Sequence, residues 1–579
     1  MPVLRRSRRS VVAAARDVAG ERPECVASVT DDANAGSRRR RCDGGGDVDK
    51  VVVRRGHFVP LFFFFRGNDQ SLVFFLSISV RDFQYFFFKG WPSSFSFSLP
   101  LPLHNCSMSV QTRLHVGLIG PGLVGKELLR QIQARFYGPQ TQSPSSAPFP
   151  SPPSFSISVV FISTSKRMIC LSSATPDATL ERGRLEPATL DLQADWKSLL
   201  NNEGPEADAA RRALEPLTAP PALLQPTDLP AALARLSRGD VLVDCSASSH
   251  GGPADGSLPG GLHLYGQALA RGVSVVTPNK CFAAGPAADY QRALAAAAPA
   301  ARAAAAAAAT GPARASALYL GEATVGAGLP VLSTLRDFLA TGDGIRKVEG
   351  VFSGSLSFVF NTLSPSSSSS SGSEGQSSSS PSTLASVVRR ARDLGYTEPD
   401  PRDDLSGTDV ARKAVILARA ISLSLSPSPS PCGRGDEGPP GRKLLELSDV
   451  PVRSLIPPHL SDRSSVDVEA FLAGLVADDG GVGAEVEKAR IEGKVLRYVG
   501  VVTVGEEGNV AAEVALRSFP KDHPYAGLSG ADNVFSFVTE RYTDASPLVI
   551  RGPGAGAAVT AAGVFGDLLT VARAAGASV

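Results

Sequence analysis

Residues 396–415, YTEPDPRDDLSGTDVARKAV, bring acidic and basic side chains together immediately before an apolar run. Asp409 and Lys413 are four residues apart, so they share one face of the helix that the apolar spacing predicts. Glu398 and Asp404 lie on the acidic loop before that helix. Such carboxylates can bind a substrate ammonium group while the lysine donates or accepts a proton. Stabilisation of the acids by the helix dipole is the structural alternative, and the residues alone leave both interpretations open.

A glycine-rich turn lies further towards the N-terminus, in RLHVGLIGPGLVGKELLRQI (113–132), between a short apolar run and a helical pattern. Gly120, Gly122 and Gly125 have the GxGxxG spacing that permits a tight turn and close approach of a pyrophosphate. The helix that follows offers free N–H groups at its N-terminus. This strand, turn and helix predict dinucleotide binding, and a glycine turn without a ligand is the alternative.

The next predicted strand, SISVVFIS (156–163), ends without the carboxylate that usually binds the ribose hydroxyls of NAD. Lys166 and Arg167 follow it, and two cations can pair with a 2′-phosphate. The sequence therefore favours NADP over NAD, with a solvated basic turn as the alternative.

Two further apolar segments, DVLVDCSASS (240–249) and GVSVVTPNKCF (272–282), predict buried parallel strands. Ligands of open parallel sheets bind beyond the carboxyl ends of the strands, which places Lys280 toward a cofactor or substrate. A solvated lysine is the alternative.

A second glycine-rich turn, VGAG, precedes the helix LPVLSTLRDFLA. Its carbonyl groups can ligate a small cation or simply cap the helix, and the spacing alone favours the cap.

The 579 residues suffice for two or three domains, and a net charge of +2 gives the chain no strong electrostatic attraction to nucleic acid. The seven cysteines include no CxxC pair, which argues against a disulfide framework and a zinc site. We therefore expect a reducing, cytoplasmic location. A plastid or another organelle is expected instead if residues 1–107 are a transit peptide.

Residues 1–111 do not resemble a domain, since basic clusters alternate with Phe-rich runs too short to cross a membrane. We interpret much of this extension as a gene-model error, with Met108 as the true start. Three Ser/Pro-rich stretches, 138–154, 364–382 and 426–442, cannot bury a core, so we expect surface loops there.

The chain resembles the homoserine dehydrogenases, most closely the short, monofunctional fungal type. The resemblance rests on VGLIGPGLVG, TPNK, EATVGAGLPVLSTLRD, VEGVFSGSLSFVFN, GYTEPDPRDDLSGTDVARK, KVLRYVG, HPYAGLSGADNVFSF and GAGAAVTAAGVFGD, in the order of the family. The resemblance implies NAD(P)H-dependent reduction of L-aspartate 4-semialdehyde to L-homoserine, in the biosynthesis of threonine, methionine and isoleucine. It also implies a homodimer, with no membrane or nucleic-acid partner.

The resemblance implies a role for each matching residue. Lys413 is the implied proton donor, and Lys280 bridges the nicotinamide and the substrate. The implied substrate ligands are Glu398, Asp409, Asp404 and Tyr396. The implied cofactor contacts are Gly120, Gly122, Leu123, Val124, Gly125, Ser246, Lys280 and Gly556. Lys166 and Arg167 are added as cofactor contacts because of their positive charge, as described above. The family's sodium ion is implied at the carbonyl groups of Glu322, Val325, Ala327 and Leu329.

We expect an α/β protein: a Rossmann-type, doubly wound parallel NAD(P)-binding domain at 112–311 and an α+β catalytic and dimerisation domain with a mixed sheet at 312–544. Residues 545–579 are expected to return to the first domain. No fused aspartate kinase or C-terminal regulatory domain is expected, and hence no threonine feedback through one. Two alternatives stay open, namely a related amino-acid or semialdehyde dehydrogenase and a non-catalytic binding protein.

Overall fold

The computed structural model describes residues 58–67, 70–79, 83–84, 112–136, 155–170, 196–201, 224–246, 263–297, 317–366, 382–425 and 443–577. The chain divides into two compact units, residues 1–107 and 108–579. The first unit contains an antiparallel sheet with the order β1-β2-β3. Its strands are β1 (Phe58–Gly67), β2 (Gln70–Ser79) and β3 (Phe83–Gln84). The Phe-rich runs thus pair with each other as a hairpin.

The second unit begins with a seven-stranded sheet, here called sheet A. Its strands are β4 (Thr112–Ile119), β5 (Phe155–Ser163), β6 (Arg167–Cys170), β7 (Leu224–Pro226), β8 (Val241–Asp244), β9 (Ser274–Val276) and β10 (Tyr319–Leu320). They lie in the order β10-β9-β8-β4-β5-β6-β7. Strand β4 is parallel to both β5 and β8, so the chain reverses its winding direction at β4, where doubly wound folds bind their ligands.

Five strands of sheet A form the parallel arrangement that the sequence predicts, and β6 differs from it. Strand β6 is antiparallel to both β5 and β7. The pairing follows from the tight turn at 164–167, which sends the chain straight back along β5. Sheet A is therefore mixed at this edge.

A five-stranded sheet, here called sheet B, forms the rest of the unit. Its strands are β11 (Ile345–Val351), β12 (Lys494–Val504), β13 (Val510–Pro520), β14 (Asp532–Thr539) and β15 (Leu548–Pro553). They lie in the order β13-β12-β11-β14-β15, and every described strand pair is antiparallel. The two-part α/β class is confirmed, but the mixed sheet expected in the catalytic part is wrong: the mixed pairing belongs to sheet A.

Fourteen α-helices lie among the described residues of the second unit. They are α1 (Leu123–Phe136), α2 (Trp196–Asn201), α3 (Leu229–Leu233), α4 (His263–Ala270), α5 (Lys280–Ala283), α6 (Ala287–Ala295), α7 (Val331–Ala340), α8 (Gly354–Leu363), α9 (Leu384–Asp393), α10 (Arg402–Leu405), α11 (Thr408–Leu425), α12 (Val468–Ala477), α13 (Val482–Ile491) and α14 (Ala557–Ala574). Short 3₁₀ turns occur at Glu322–Thr324, Leu447–Asp449 and Pro458–Leu460. Pro330 directly precedes α7, as predicted.

The last helix packs against the first, which brings the C-terminal segment back to sheet A. Leu128 and Ile132 of α1 share one apolar cluster with Val564 and Leu568 of α14, and all four are at most 1% exposed. Helix α14 is long and apolar enough to span a membrane by length and composition, but its buried face belongs to this core. The predicted domain boundaries stay a prediction.

Helix α11 is the element that joins the two sheets. It packs on β12 and β13 of sheet B and also contacts α5, which follows β9 of sheet A. Its buried positions recur at helical spacing, from Val410 and Ala414 to Leu417 and Ile421. Because the apolar stripe fixes the rotation of the helix, it also fixes where the polar residues of its first turns point.

Candidate active site

Two lysines from different helices contact one carboxylate, that of Asp409. Asp409 lies in the first turn of α11, and its Oδ2 is 2.7 Å from the Nζ of Lys413, one turn further on. Its Oδ1 is 3.3 Å from the Nζ of Lys280, which begins α5. The structure thus brings together three of the predicted site residues, across 129 positions of sequence between Lys280 and Asp409.

Lys280 is held at this place by the polar residues that follow β8 and β9. The Thr277 hydroxyl donates to the Asp244 carbonyl at 2.7 Å and accepts from the Asn279 N–H at 2.9 Å. The Asn279 side chain then caps α5 by accepting from the Cys281 N–H at 2.9 Å. The TPNK sequence is therefore a strand end and a helix cap, which fixes where the lysine leaves the backbone.

Burial and charge act against each other at the two α11 residues. Burial lowers the pKa of Lys413, because its ammonium group loses hydration, and the nearby Asp409 carboxylate opposes that shift. For Asp409, burial alone would raise the pKa, but Lys280 and then Lys413 hold it well below its usual range. Lys413 is therefore an acid that releases its proton more readily than an exposed lysine.

The corner between β11 and α8 supplies further contacts to the site. The Phe352 carbonyl accepts from the Lys413 Nζ at 2.7 Å. The Ser355 hydroxyl donates to the Asp404 Oδ1 at 2.7 Å, and the Glu398 N–H donates to its Oδ2 at 2.9 Å. Burial raises the pKa of Asp404, and the charges of Glu398 and Asp409 add to the rise.

The crowded acids divide into two groups. Asp400 accepts a forked pair of bonds from the Arg402 guanidinium, and Asp403 lies 2.6 Å from Arg463. These two acids hold the surrounding chain together through ion pairs with arginines. Asp404 instead accepts from the Glu398 N–H, and the charges of Glu398 and Asp409 raise its pKa. Asp403 and Asp404 belong to α10, so their placement on a loop was wrong.

Tyr396 and Glu398 lie at the outer edge of this group. The Tyr396 ring is 42% exposed and stacks on Phe358 at a centroid distance of 4.6 Å. The Glu398 side chain is exposed, so its carboxylate is open to a ligand from solvent.

The glycine turn sits where β4 ends, and its geometry explains the spacing. Gly120 has φ +77°, and a Cβ there would overlap the backbone of Ser246. At Gly125 an added Cβ would overlap the carbonyl oxygen of Gly120, whereas beside Gly122 there is open space. Two of the glycines thus serve close backbone packing, and the third leaves open space beside the turn, as close approach of a pyrophosphate requires. The residues present fit a dinucleotide.

The other predicted cofactor contacts surround this turn. Leu123, 83% exposed, and Val124 begin α1, whose first N–H groups face the opening. Ser246 follows β8, and its N–H donates to the Asp244 Oδ1 at 2.8 Å. Gly556, with φ +111°, precedes α14, and the Gln131 side chain of α1 donates to the nearby Ala558 carbonyl at 2.9 Å.

Lys166 and Arg167 lie on the turn between β5 and β6. The Gly120 N–H donates to the Ser163 carbonyl at 2.8 Å, so this turn is adjacent to the glycine turn. The Thr164 hydroxyl accepts from the N–H groups of Lys166 and Arg167, which keeps the turn tight. The Lys166 side chain is exposed and the Arg167 side chain is partly buried.

The implied cation ligands lie in one compact turn. Gly326 has φ 81° and Ala327 has φ 54°, and Ala327 is the one non-glycine residue of positive φ in the described part of the chain. A left-handed alanine costs about 1–2 kcal/mol, so the fold around the turn must impose it. The carbonyls of Glu322 and Leu329 accept from the N–H groups two or three residues on, and each retains a second lone pair.

Side chains beside this turn are committed elsewhere. The Glu322 carboxylate accepts from the Leu332 N–H at 2.8 Å and from Arg336 at 3.0 Å. Asp567 of α14 accepts from the Glu322 N–H at 2.8 Å, and burial raises its pKa to about 7. Among the described residues, no group of three or more His, Cys, Asp or Glu side chains could hold a metal ion. Neutral oxygen donors suit a hard cation such as sodium.

Sequence reasoning missed three groups that support the site residues. They are the Phe352 carbonyl, which accepts from Lys413, the Ser355 hydroxyl, which donates to Asp404, and the Asn533 amide, which donates to the Phe352 carbonyl. A backbone carbonyl has no signature in a sequence, and Asn533 lies far from α11 in the chain. For Ser355, the small-residue run FSGS at the predicted strand end was an available signal.

Comparison with known proteins places this geometry in a family. The family model described as homoserine dehydrogenase matches residues 330–569. The homoserine dehydrogenase of Paracoccidioides brasiliensis is 35% identical over 458 residues, which are 79% of this chain and 97% of that protein. The chain belongs to the homoserine dehydrogenase family. Members of this family are NAD(P)-dependent oxidoreductases that act on a CH–OH group.

The plant relatives are longer than this chain. The chloroplastic bifunctional aspartokinase/homoserine dehydrogenase 1 of Zea mays is 37% identical over 465 residues, 79% of this chain. The chain spans 38% of the length of that relative. A crystal structure of a Candida auris protein of unknown function matches with a TM-score of 0.54 at 30% identity, over 81% of this chain and 100% of that one.

Proposed function

We propose that this chain reduces L-aspartate 4-semialdehyde to L-homoserine with NAD(P)H, in the biosynthesis of threonine, methionine and isoleucine. The observation that carries the proposal is the contact of Lys280 and Lys413 with Asp409. This contact joins α5, which follows β9 of sheet A, to the first turns of α11. Family membership supplies the substrate.

Lys413 serves as the proton donor. Its ammonium group gives one N–H to Asp409 and one to the Phe352 carbonyl, which leaves the third for the aldehyde oxygen of the substrate. A nicotinamide supplies the hydride that reaches the aldehyde carbon. The positive charge on Lys413 stabilises the negative charge that grows on the oxygen, and its lowered pKa eases the transfer of the proton.

Substrate binding falls to the acids around this lysine. The substrate carries an ammonium group, which the exposed Glu398 carboxylate can bind, with Asp404 behind it and Tyr396 beside it. Each Asp409 oxygen already accepts from a lysine, so Asp409 has only its remaining lone pairs to offer the substrate. Glu398 is therefore the stronger ligand of the two.

The test is the variant Lys413→Ala, assayed with aspartate 4-semialdehyde beside a separate measurement of NADPH binding. Turnover is expected to fall by about 10² or more, while NADPH binds as before. Equal losses in turnover and NADPH affinity would show that Lys413 is structural and would reject the proposed role.

We also propose NADP as the preferred form of the cofactor, on the strength of the basic turn at 164–167. Lys166 is exposed beside the glycine turn, where a 2′-phosphate on the adenosine ribose would meet it. Lys166→Ala should lower kcat/KM for NADPH several-fold and leave that for NADH unchanged. Lys197→Ala on α2 serves as the control, since it removes an exposed lysine elsewhere. An unchanged NADPH/NADH ratio would contradict the preference.

Sodium binding at the carbonyls of Glu322, Val325, Ala327 and Leu329 is the third part of the proposal. The strained Ala327 and the neutral donor set support it. NaCl should raise the melting temperature above that in choline chloride at equal ionic strength. Identical melting temperatures in the two salts would reject the site.

A homodimer and a cytoplasmic location complete the proposal, with a plastid or other organelle as the alternative location. The family resemblance alone supports the dimer. Light scattering on the eluting protein would measure its mass. Cell fractionation with an intact-mass spectrum would test the location together with the start at Met108.

A further inference from the structure

One carbonyl oxygen in the site accepts from two side chains. The Phe352 carbonyl accepts from the Lys413 Nζ at 2.7 Å and from the Asn533 Nδ2 at 3.1 Å. Asn533 lies on β14, next to β11 in sheet B, and is 0% exposed. A carbonyl is only an acceptor, so the amide nitrogen of Asn533 and not its oxygen must face it.

The rest of the Asn533 side chain is tightly confined. No described residue bonds to its Oδ1, which is buried and lies toward Gly354 at the start of α8. A buried amide oxygen without a partner is unfavourable, so the surrounding packing must maintain this orientation. On the other side, a Cβ added at Gly554 would overlap the amide nitrogen.

Gly554 belongs to the segment that leads into Gly556 and α14. Asn533 is thus packed between this segment and the Phe352 carbonyl. We propose that Asn533 is a positioning residue: it fixes the Phe352 carbonyl, which in turn aims the ammonium group of Lys413 at the reacting oxygen. The inference rests on the proposed role of Lys413 and adds a residue to it.

The geometry explains how the effect is transmitted. An ammonium group on a flexible chain has three N–H donors that rotate freely. Asp409 fixes one of them, and a carbonyl held in place by Asn533 fixes the second, so the direction of the third is set. Without Asn533, the Phe352 carbonyl has one fixed hydrogen-bond partner fewer. The third N–H of Lys413 is then no longer held in one direction.

The experiment compares Asn533→Ala, Asn533→Asp and the control Asn361→Ala in the full chain. Asn361 also has a buried Oδ1 with no described partner, and its Nδ2 also donates to a backbone carbonyl, that of Gly530 at 3.1 Å. It does not contact Lys413 or Phe352. In each asparagine, the change to alanine removes an amide group that donates to a backbone carbonyl. Only Asn533 donates to the Phe352 carbonyl, which also accepts from Lys413.

For Asn533→Ala we expect kcat to fall about tenfold, with the KM for NADPH unchanged. The alkaline limb of the pH profile of kcat should move to lower pH, because the Phe352 carbonyl that accepts from protonated Lys413 is no longer held in place. The charges that face Lys413 are Asp409, Asp404 and Lys280. Asn533→Asp adds an anion to this set, so its alkaline limb should lie above that of the alanine variant. It also preserves the side-chain volume if the alanine variant fails to fold.

Asn361→Ala should leave kcat and its pH profile as in the parent chain. The inference would be overturned if the Asn533 variants and Asn361→Ala had equal kcat values and equal alkaline limbs. The proposed function would survive that result if Lys413→Ala still lost most of its turnover. Full turnover in Lys413→Ala would instead reject the proposed function itself, so the two failures are distinguishable.

Discussion

The substitution Asp409→Asn tests the charge arrangement of the site most directly. It keeps the size of the side chain and removes the negative charge that Lys280 and Lys413 share, at 3.3 and 2.7 Å. The remaining amide has one oxygen, which can accept from one lysine, and an NH₂ group that must face the other. One charge-assisted hydrogen bond is lost, and both ammonium groups lose the counter-charge that they share.

The size of the effect follows from these contacts. A hydrogen bond to a charged group contributes about 1.5–3 kcal/mol, and each 1.4 kcal/mol is about tenfold in rate. We therefore expect kcat to fall about ten- to one-hundred-fold at neutral pH. Asp409 also opposes the burial that lowers the pKa of Lys413, so its loss lowers that pKa further. Since Lys413 donates only when protonated, the alkaline limb of kcat should move to lower pH.

The assay follows the absorbance of NADPH at saturating substrate across the neutral and alkaline range. Asp403→Asn is the matched control, because Asp403 precedes Asp409 by six residues but pairs with Arg463. The control should keep kcat within about twofold and keep the position of its alkaline limb. If Asp409→Asn retained both as well, the argument that Asp409 holds the two lysines would be refuted.

Three other predictions concern the supports of the site. Ser355→Ala removes one of the two donors to Asp404, so the KM for aspartate 4-semialdehyde should rise about fivefold with kcat almost unchanged; an unchanged KM would contradict this. Gly120→Ala places a Cβ on the Ser246 backbone, so NADPH affinity measured by fluorescence titration should fall more than tenfold, whereas equal affinity would show that the turn can move. Arg419→Met removes a 1% exposed guanidinium that donates to the carbonyls of Ala283 and Leu445, so urea unfolding should show a loss of about 3 kcal/mol; a loss below 1 kcal/mol would contradict its role in joining α11 to α5.

The elements that carry the site were predictable because their signals are local. Strand β4, the glycine turn and α1 follow each other within 25 residues, and the apolar stripe of α11 recurs at helical spacing. Asp409 and Lys413 share a turn of that helix, so their contact needed no knowledge of the rest of the fold.

The contacts that complete the site depend on tertiary structure. Lys280 reaches Asp409 only because α5 packs on α11, and no periodicity in either segment records that packing. The role of Asn533 is hidden for the same reason, since β14 lies beside β11 through strand pairing. Family resemblance identified residues with roles, while the packing shows how the backbone holds them in place.

Three helices carry residues of the site at their N-terminal ends, and the Ser/Pro-rich stretches follow their C-terminal ends. Helix α1 begins at the glycine turn and ends at Phe136. Helix α8 begins beside Ser355 and ends at Leu363, and α11 begins beside Asp409 and ends at Leu425. At about 1.5 Å per residue, α11 carries its end about 18 Å beyond Lys413.

Each of the three Ser/Pro-rich stretches joins the chain just after one of these far ends. Evolution can therefore lengthen or shorten the chain at these joints without moving the residues that the helix starts hold. Each of the three helices thus has a first turn that holds residues of the site and a last turn at which a change in chain length leaves those residues in place.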